Sequence, residues 1–314
     1  MIGAHLVAQL AAARQGAVLG TWFAGDPVPP PRIDGVTMLE LDVRDAAAVR
    51  ACIARFRPAV IHHLAAQSLP TLSWREPALT LDTNVQGTLN VFEAVQYVRA
   101  AHDAGYDPMV VVACSAAEYG ASLTPERLPI DEDAPLLPLH PYGVSKVAQD
   151  LLAFQYWRNR RIRCIRARLF NTTGPRKRHD VVSDFAAGVI AIAHRGGRLR
   201  VGNLDACRPI MDVRDAIAAL TLLAARGTPG EAYNICADSA IRIGDLVPIF
   251  ARLAGIPLDV TVDAALLRPS DEAVILGRTD KLRRHTGWSP TVPLADTLRA
   301  VLDHVAAQWR PDLP

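Results

Sequence analysis

Ser115, Tyr142 and Lys146 are the residues of this 314-residue chain whose types and spacing could do chemistry. Tyr142 and Lys146 stand four apart in HPYGVSKVAQDLL, which opens on Pro141 and reads as a helix, so both side chains share one face. An ammonium beside a phenol favours the phenolate. The expectation is therefore a lowered Tyr142 pKa and a group able to give or take a proton near neutral pH. Ser115 lies at the end of VVVACS, a run of β-branched and small residues with the pattern of a buried parallel strand. Glu118-Tyr119-Gly120 then turns the chain away. A serine hydroxyl at a neighbouring strand end could hold the same substrate oxygen as the tyrosine. Such a trio reduces a carbonyl or oxidises an alcohol. A tyrosine and a lysine at this spacing are common on helices, so the surrounding elements must carry the rest of the argument.

Those elements alternate. MLELDVRD (38–45) reads as a strand ending in Asp42, with a helix after it through Phe56. AVIHHLAAQS (59–68) reads as a strand ending in small residues, where backbone can approach a ligand closely. A long amphipathic helix is expected over 82–105, the strand VVVACS next, the Tyr142 helix to about Arg158, and a strand over 162–170 closed by NTTGP. Strands alternating with helices imply parallel pairing and right-handed crossovers. The fold class expected is α/β, a doubly wound parallel sheet. The chain opens directly on a helix (His5 to about Arg14), without the strand and Gly-rich turn that precede such a helix in a dinucleotide-binding fold. Residues 1–174 read as the dinucleotide-binding domain. Residues 175–314 read mainly as a smaller mixed α/β substrate lobe, interleaved with the first domain, in which Asp212 or Asp215 caps the helix continuing as AIAALTLLAA.

Composition narrows the class of function. Half the residues are apolar and 21% are charged, ordinary for a globular enzyme. A net charge of +2 argues against nucleic-acid or membrane partners on bulk electrostatics. No apolar run reaches the roughly 20 residues that span a bilayer. Five cysteines lie far apart, with no CxxC spacing and no histidines at zinc-ligand intervals, so reduced thiols, a cytoplasmic location and no metal are expected. His62 and His63 end a buried strand and read as core histidines.

LDVRD, HHLAAQS, NVQGTLN, CSAAEYG, PYGVSKVAQD, RLFNTTGP, RPIMDVRD, EAYNICA and RPSD…TGW fall in a fixed order. In that order the chain resembles the extended short-chain dehydrogenases/reductases acting on nucleotide sugars. Within these it looks most like the GDP-4-keto-6-deoxy-D-mannose reductases and their GDP-mannose 4,6-dehydratase relatives. The resemblance implies a Rossmann-type sheet and NADPH or NADH as cofactor. It implies Ser115, Tyr142 and Lys146 as catalytic residues. Cofactor contacts would come from Gly3, Asp42, Val43, Leu64, Ala65, Ala66, Asn84 and Leu169, with Tyr142 and Lys146. Asn171, Arg176, Arg208 and Arg268, with Ser115, would meet a nucleotide-sugar substrate, by analogy GDP-linked. It further implies a homodimer through the helices at 84–100 and 143–157.

One departure separates reactions. Dehydratases of this superfamily carry an acid two residues before the tyrosine of the YG turn, to protonate the leaving hydroxyl. That position is Ala117 here, with Glu118 beside Tyr119 expected to point elsewhere. Alanine cannot transfer a proton, so a simple hydride step is preferred. Arg208 is followed by Pro209-Ile210-Met211 where the reductases continue Asp-Phe-Thr. The reading is an NAD(P)H-dependent reductase of the C4 keto group of a GDP-4-keto-6-deoxyhexose. The alternatives are a nucleotide-sugar 4-epimerase with tightly held NAD and a degenerate, non-catalytic family member.

Overall fold

The structure, a computed structural model, describes residues 1–14, 16–25, 28–267 and 272–310. α1 (Ile2–Ala13) leads to β1 (Val18–Trp22) and β2 (Val36–Glu40), and α2 (Ala46–Phe56) returns to β3 (Val60–His63). Two short helices, α3 (Pro70–Arg75) and α4 (Pro77–Leu81), run through a π-helical turn at Asp82–Gln86 into α5 (Gly87–Ala101). β4 (Met109–Ser115), α6 (Pro141–Arg160) and β5 (Cys164–Leu169) follow. Beyond them come β6 (Thr172–Thr173), α7 (Val181–Arg195), β7 (Leu199–Val201), β8 (Cys207–Arg208), β9 (Met211–Asp212) and α8 (Val213–Arg226). The chain closes with β10 (Ala232–Ile235), β11 (Ile241–Arg242), α9 (Leu246–Ala254), β12 (Val260–Val262), α10 (Asp280–Thr286) and α11 (Leu294–Gln308).

The main ladder is parallel, in the order β10-β5-β4-β3. β4 shows why it is wound on both faces. Val110, Val112 and Cys114 pack with α2, α5 and α6 residues such as Val49, Phe92 and Tyr156. Met109 and Val111 point the other way, onto Ala216, Leu220 and Leu223 of α8. Val110, Val111 and Val112 are fully buried, each side chain contributing about 1.5–3 kcal/mol relative to exposure. β1 and β2 form a second parallel pair, and among the described residues no ladder joins it to β3. Val60 at the start of β3 is accordingly 40% exposed.

The later half of the chain contributes to two cores. α8 covers the main sheet and β10 extends it, whereas α7, α9 and α11 build a separate core around Phe185, Phe250 and Leu298. Asp212, of the two candidates, caps α8, accepting from the Arg214 amide at 2.7 Å. Asp215 instead accepts the amides of Thr291 and Val292. Two strands are shorter than expected. β2 ends at Glu40, so Asp42 lies in the turn beyond it, and β3 ends at His63, short of Ala65 and Ala66, which are too small to fill a pleated face. The long helix expected from residue 82 begins as the π-helical turn and ends at Ala101. All five cysteines are free thiols. Among the described residues, no helix is long and apolar enough to cross a membrane.

Candidate active site

β4 delivers Ser115 to the edge of the main sheet, where it caps the short turn Ala116–Glu118. Ser115 Oγ accepts from the Ala117 amide at 3.2 Å, and Glu118 Oε1 accepts from the Ser115 amide at 2.8 Å. That is a reciprocal capping box, written in the sequence as Ser-Ala-Ala-Glu. α6 arrives against this turn. His140 caps it, Nδ1 accepting from the Gly143 amide at 3.0 Å, and its ring stacks on Tyr142 with centroids 5.9 Å apart. Gly143 is required: a Cβ there would lie 2.6 Å from the Ala117 carbonyl oxygen. The close approach sets the Tyr142 phenol beside Ser115. One turn along α6, Lys146 is 3% exposed, its Nζ donating to the Ala113 carbonyl at 2.8 Å and lying 5.7 Å from the Tyr142 ring centroid.

The protonation states differ from the expectation. Burial pushes the Tyr142 phenol up to about 12, with the Ser115 hydrogen bond opposing and the nearby Glu118 and Cys114 adding to the rise. Burial pulls Lys146 down to about 8. The lysine does not lower the tyrosine pKa, because desolvation outweighs an ammonium that is already spent on the Ala113 carbonyl. Tyr142 is therefore held in its protonated form.

The residues read as cofactor contacts lie at the ends of the parallel strands. Asp42 is held by Arg44 at 2.6 Å, and this hydrogen-bonded ion pair keeps its carboxyl below the usual range. Val43 packs over Gly87, and its carbonyl accepts from Asn90 Nδ2 at 2.8 Å. Leu64, Ala65 and Ala66 form the irregular strand end, with Ala65 exposed, and Leu64 lies against Gly3. Leu169 is the register partner of Ser115 in the neighbouring strand. Asn84, fully buried in the π-helical turn, accepts from the Gln67 amide at 2.8 Å and donates to Ser145 Oγ at 2.8 Å. Its side chain thus braces the loop after β3 against α6.

The substrate candidates are more scattered. Asn171 is exposed just past β5, its carbonyl accepting from the Met211 amide at 2.9 Å. Arg176 donates to the Pro29 carbonyl at 2.8 Å, which ties the basic loop to the segment between β1 and β2. Arg208 is 8% exposed and donates to the carbonyls of Cys207 and Glu272. Arg268 lies outside the described residues.

Sequence reasoning missed a buried charge network under the site. Arg168 Nε lies 2.9 Å from Asp150 and 3.3 Å from Glu118, and Arg166 donates to Asp150 at 2.6 Å. Arg168 also donates to the Tyr119 hydroxyl at 3.0 Å, and Tyr119 donates to Asn234 on β10 at 2.6 Å. Cys114, Glu118 and Asp150 converge within 4.8 Å, but Arg168 supplies the positive charge there that a metal would otherwise bring. The signals were present: the capping-box spacing for Glu118, and the alternation of Arg166 and Arg168 on an otherwise apolar strand.

The donor set fits a dinucleotide: a buried lysine and tyrosine where the nicotinamide ribose would lie, small residues at the end of β3, and an acid beyond β2. Comparison with known proteins agrees. A family model described as GDP-mannose 4,6 dehydratase matches residues 28–301. The GDP-6-deoxy-D-mannose reductase of Pseudomonas aeruginosa is 32% identical over 78% of this chain and 79% of its own length. The UDP-glucose 4-epimerase of Streptomyces lividans is 29% identical over 88% of this chain and 82% of its own. The structure of RMD from Pseudomonas aeruginosa complexed with NADPH superposes with a TM-score of 0.82 at 28% identity, covering 98% of this chain and 96% of that one. Fold, site geometry and sequence similarity converge, and the chain belongs to the GDP-mannose 4,6-dehydratase family of extended short-chain dehydrogenases/reductases, enzymes that use NAD(P) to act on nucleotide sugars.

Proposed function

We propose that this enzyme reduces the C4 keto group of a GDP-4-keto-6-deoxyhexose. The observation that carries the reading is the turn after β4. Ala117 stands partly exposed where a dehydrating member needs an acid, while the carboxyl of Glu118 is fully buried and engaged with the Ser115 amide. Elimination of water has no proton donor at that turn. Reduction needs only the donor that is present.

Tyr142, Lys146, Asp42, Val43, the 64–66 strand end, Leu169 and Gly3 are the residues that would hold NADPH or NADH, with Asn84 bracing the loop behind them. When bound, the nicotinamide supplies hydride to the C4 carbonyl carbon. Tyr142 transfers its phenolic proton to the developing alkoxide, and Ser115 donates a hydrogen bond to the same oxygen. Lys146 orders the ribose beside them. Asn171, Arg176, Arg208 and Arg268 are assigned to the sugar nucleotide. The Pseudomonas reductase, the relative named for this activity, supports the substrate class.

The test is stoichiometry. Incubation with NADPH and a GDP-4-keto-6-deoxyhexose should consume one cofactor per sugar reduced. Conversion of GDP-mannose to a keto sugar without net cofactor consumption would instead make the chain a dehydratase. Interconversion of 4-epimers by protein purified with NAD in place would make it an epimerase.

The assembly we propose is a homodimer through α5 and α6. Val144, Leu151 and Phe154 on α6 and Tyr97 on α5 are each at least 40% exposed, and Val144, Leu151 and Phe154 recur at helical spacing. Leu151→Glu should convert the dimer to monomer in sedimentation. A monomeric wild-type protein would refute the assembly.

A further inference from the structure

Glu118 is a buried acid that the reduction itself does not use. It is fully inaccessible, yet one of its oxygens reaches back to the amide of the residue that faces Tyr142. The Ser115 hydroxyl has its own acceptor duty toward the Ala117 amide at 3.2 Å, so the orientation of Ser115 is fixed from two sides of the same turn. The carboxyl is in turn held from behind. Arg168 Nε lies 3.3 Å from Glu118 Oε2, and the same guanidinium is anchored by Asp150 at 2.9 Å, by the Tyr119 hydroxyl at 3.0 Å and by the Glu132 carbonyl at 2.9 Å. Asp150 is anchored by Arg166, which also donates to the Gly230 carbonyl at 3.0 Å. Each link therefore rests on two or more others, drawn from β4, β5, α6 and the loops at 130 and 230. The carboxyl is thus held by one hydrogen bond, through Oε1, and one ion pair, through Oε2.

We propose that Glu118 is a positioning residue for the carbonyl chemistry: paired with Arg168, which Asp150 in turn anchors, it fixes the Ser115 backbone so that the serine hydroxyl meets Tyr142 and the substrate oxygen at one angle. This rests on the reductase reading above. Hydrogen-bonding and proton-transfer groups lose rate steeply when displaced by an ångström, so the dependence should fall on turnover rather than on binding. Burial and the neighbouring Asp150 push the Glu118 carboxyl up, opposed by Arg168, which agrees with a group valued for its hydrogen bond more than for its charge.

Two conservative substitutions separate positioning from mere ion pairing. Glu118→Gln keeps the length and an oxygen to accept from the Ser115 amide but removes the charge beside Arg168. Glu118→Asp keeps the charge but is one methylene too short to reach. Turnover with NADPH and a GDP-4-keto-6-deoxyhexose, and amide hydrogen exchange at Ser115, are measured for both, with Tyr142→Phe alongside. The expected result is that Glu118→Gln stays within about threefold of wild type in kcat with Ser115 exchange unchanged. Glu118→Asp should lose about 10- to 100-fold in kcat, keep KM within about twofold, and exchange faster at Ser115. The reverse order, with Glu118→Asp the better enzyme or its Ser115 exchange unchanged, would overturn the proposal and leave Glu118 an ion-pair partner. Should Tyr142→Phe turn over as fast as wild type, the reductase reading falls, and the positioning role falls with it even where the exchange data stand.

Discussion

Tyr142 and Lys146 hold protonation states that burial sets in opposite senses, and this shapes when the enzyme can work. The phenol, at about 12, keeps its proton across the whole working range. The ammonium, at about 8, does not. A depressed lysine is fully charged below its folded pKa and neutral above it, so a step that needs the ammonium is available at pH 7 and is lost as pH rises through about 8. The rate of reduction under saturating cofactor should therefore fall above about pH 8 with the loss of one proton. A rate constant over pH 7–10 would show that Lys146 carries its charge through that range or that the step does not need it. The positions of these residues were legible in the sequence, since a tyrosine and a lysine four apart on a helix must share a face. Their pKa values were not, because desolvation depends on how completely β4, α5 and α6 close over them. Glu118 shows the same limit. Its capping spacing was visible, but the arginine that holds it comes from a strand fifty residues on.

α6 reaches the site only because its first turn can lie against the turn after β4. Gly143 permits that approach, with the Ala117 carbonyl oxygen 2.6 Å from where a Cβ would be. Replacement of Gly143 by valine should push α6 away, cost about 1–3 kcal/mol of stability, and cut kcat by more than tenfold because Tyr142 leaves Ser115. Denaturant unfolding and turnover of the purified variant measure both, and a variant with wild-type values would show that the contact relaxes freely. The π-helical turn at Asp82–Gln86 acts similarly, sinking Asn84 between Gln67 and Ser145. Sequence patterning gave the helix that follows but not this turn, whose extra residue leaves no periodic mark. The strand ends were also missed by a few residues, because Ala65 and Ala66 are apolar enough to read as strand yet too small to pack as one.

For the whole molecule, the parallel direction of the strands in the main ladder was readable from strand–helix alternation. The pairing of β10 with β5 was not, since it joins residues some seventy apart around an intervening helix pair. Packing of this kind also sets acid stability. His63 is buried at the end of β3 against Thr88, and burial pulls its pKa down to about 4 from an ordinary 6.5. Above pH 6.5 the folded and unfolded chains are both neutral there, and stability is complete. As pH falls from 6.5 to about 4 the unfolded chain takes a proton that the folded one refuses, costing up to about 3 kcal/mol. His62 is pulled down in the same direction. Urea unfolding at pH 7, 6, 5 and 4 should show this loss, with a smaller slope in His63→Gln. Equal slopes would place the acid sensitivity elsewhere.

The central claim, that Tyr142 gives the proton which completes carbonyl reduction, is tested most directly by Tyr142→Phe. Oxidation of NADPH in the presence of a GDP-4-keto-6-deoxyhexose would be followed beside direct titration of NADPH onto the same protein. The account predicts turnover reduced by about a thousandfold with NADPH affinity within about twofold of wild type. Turnover near the wild-type rate would contradict it, because the remaining Ser115 and Lys146 would then suffice without the phenol.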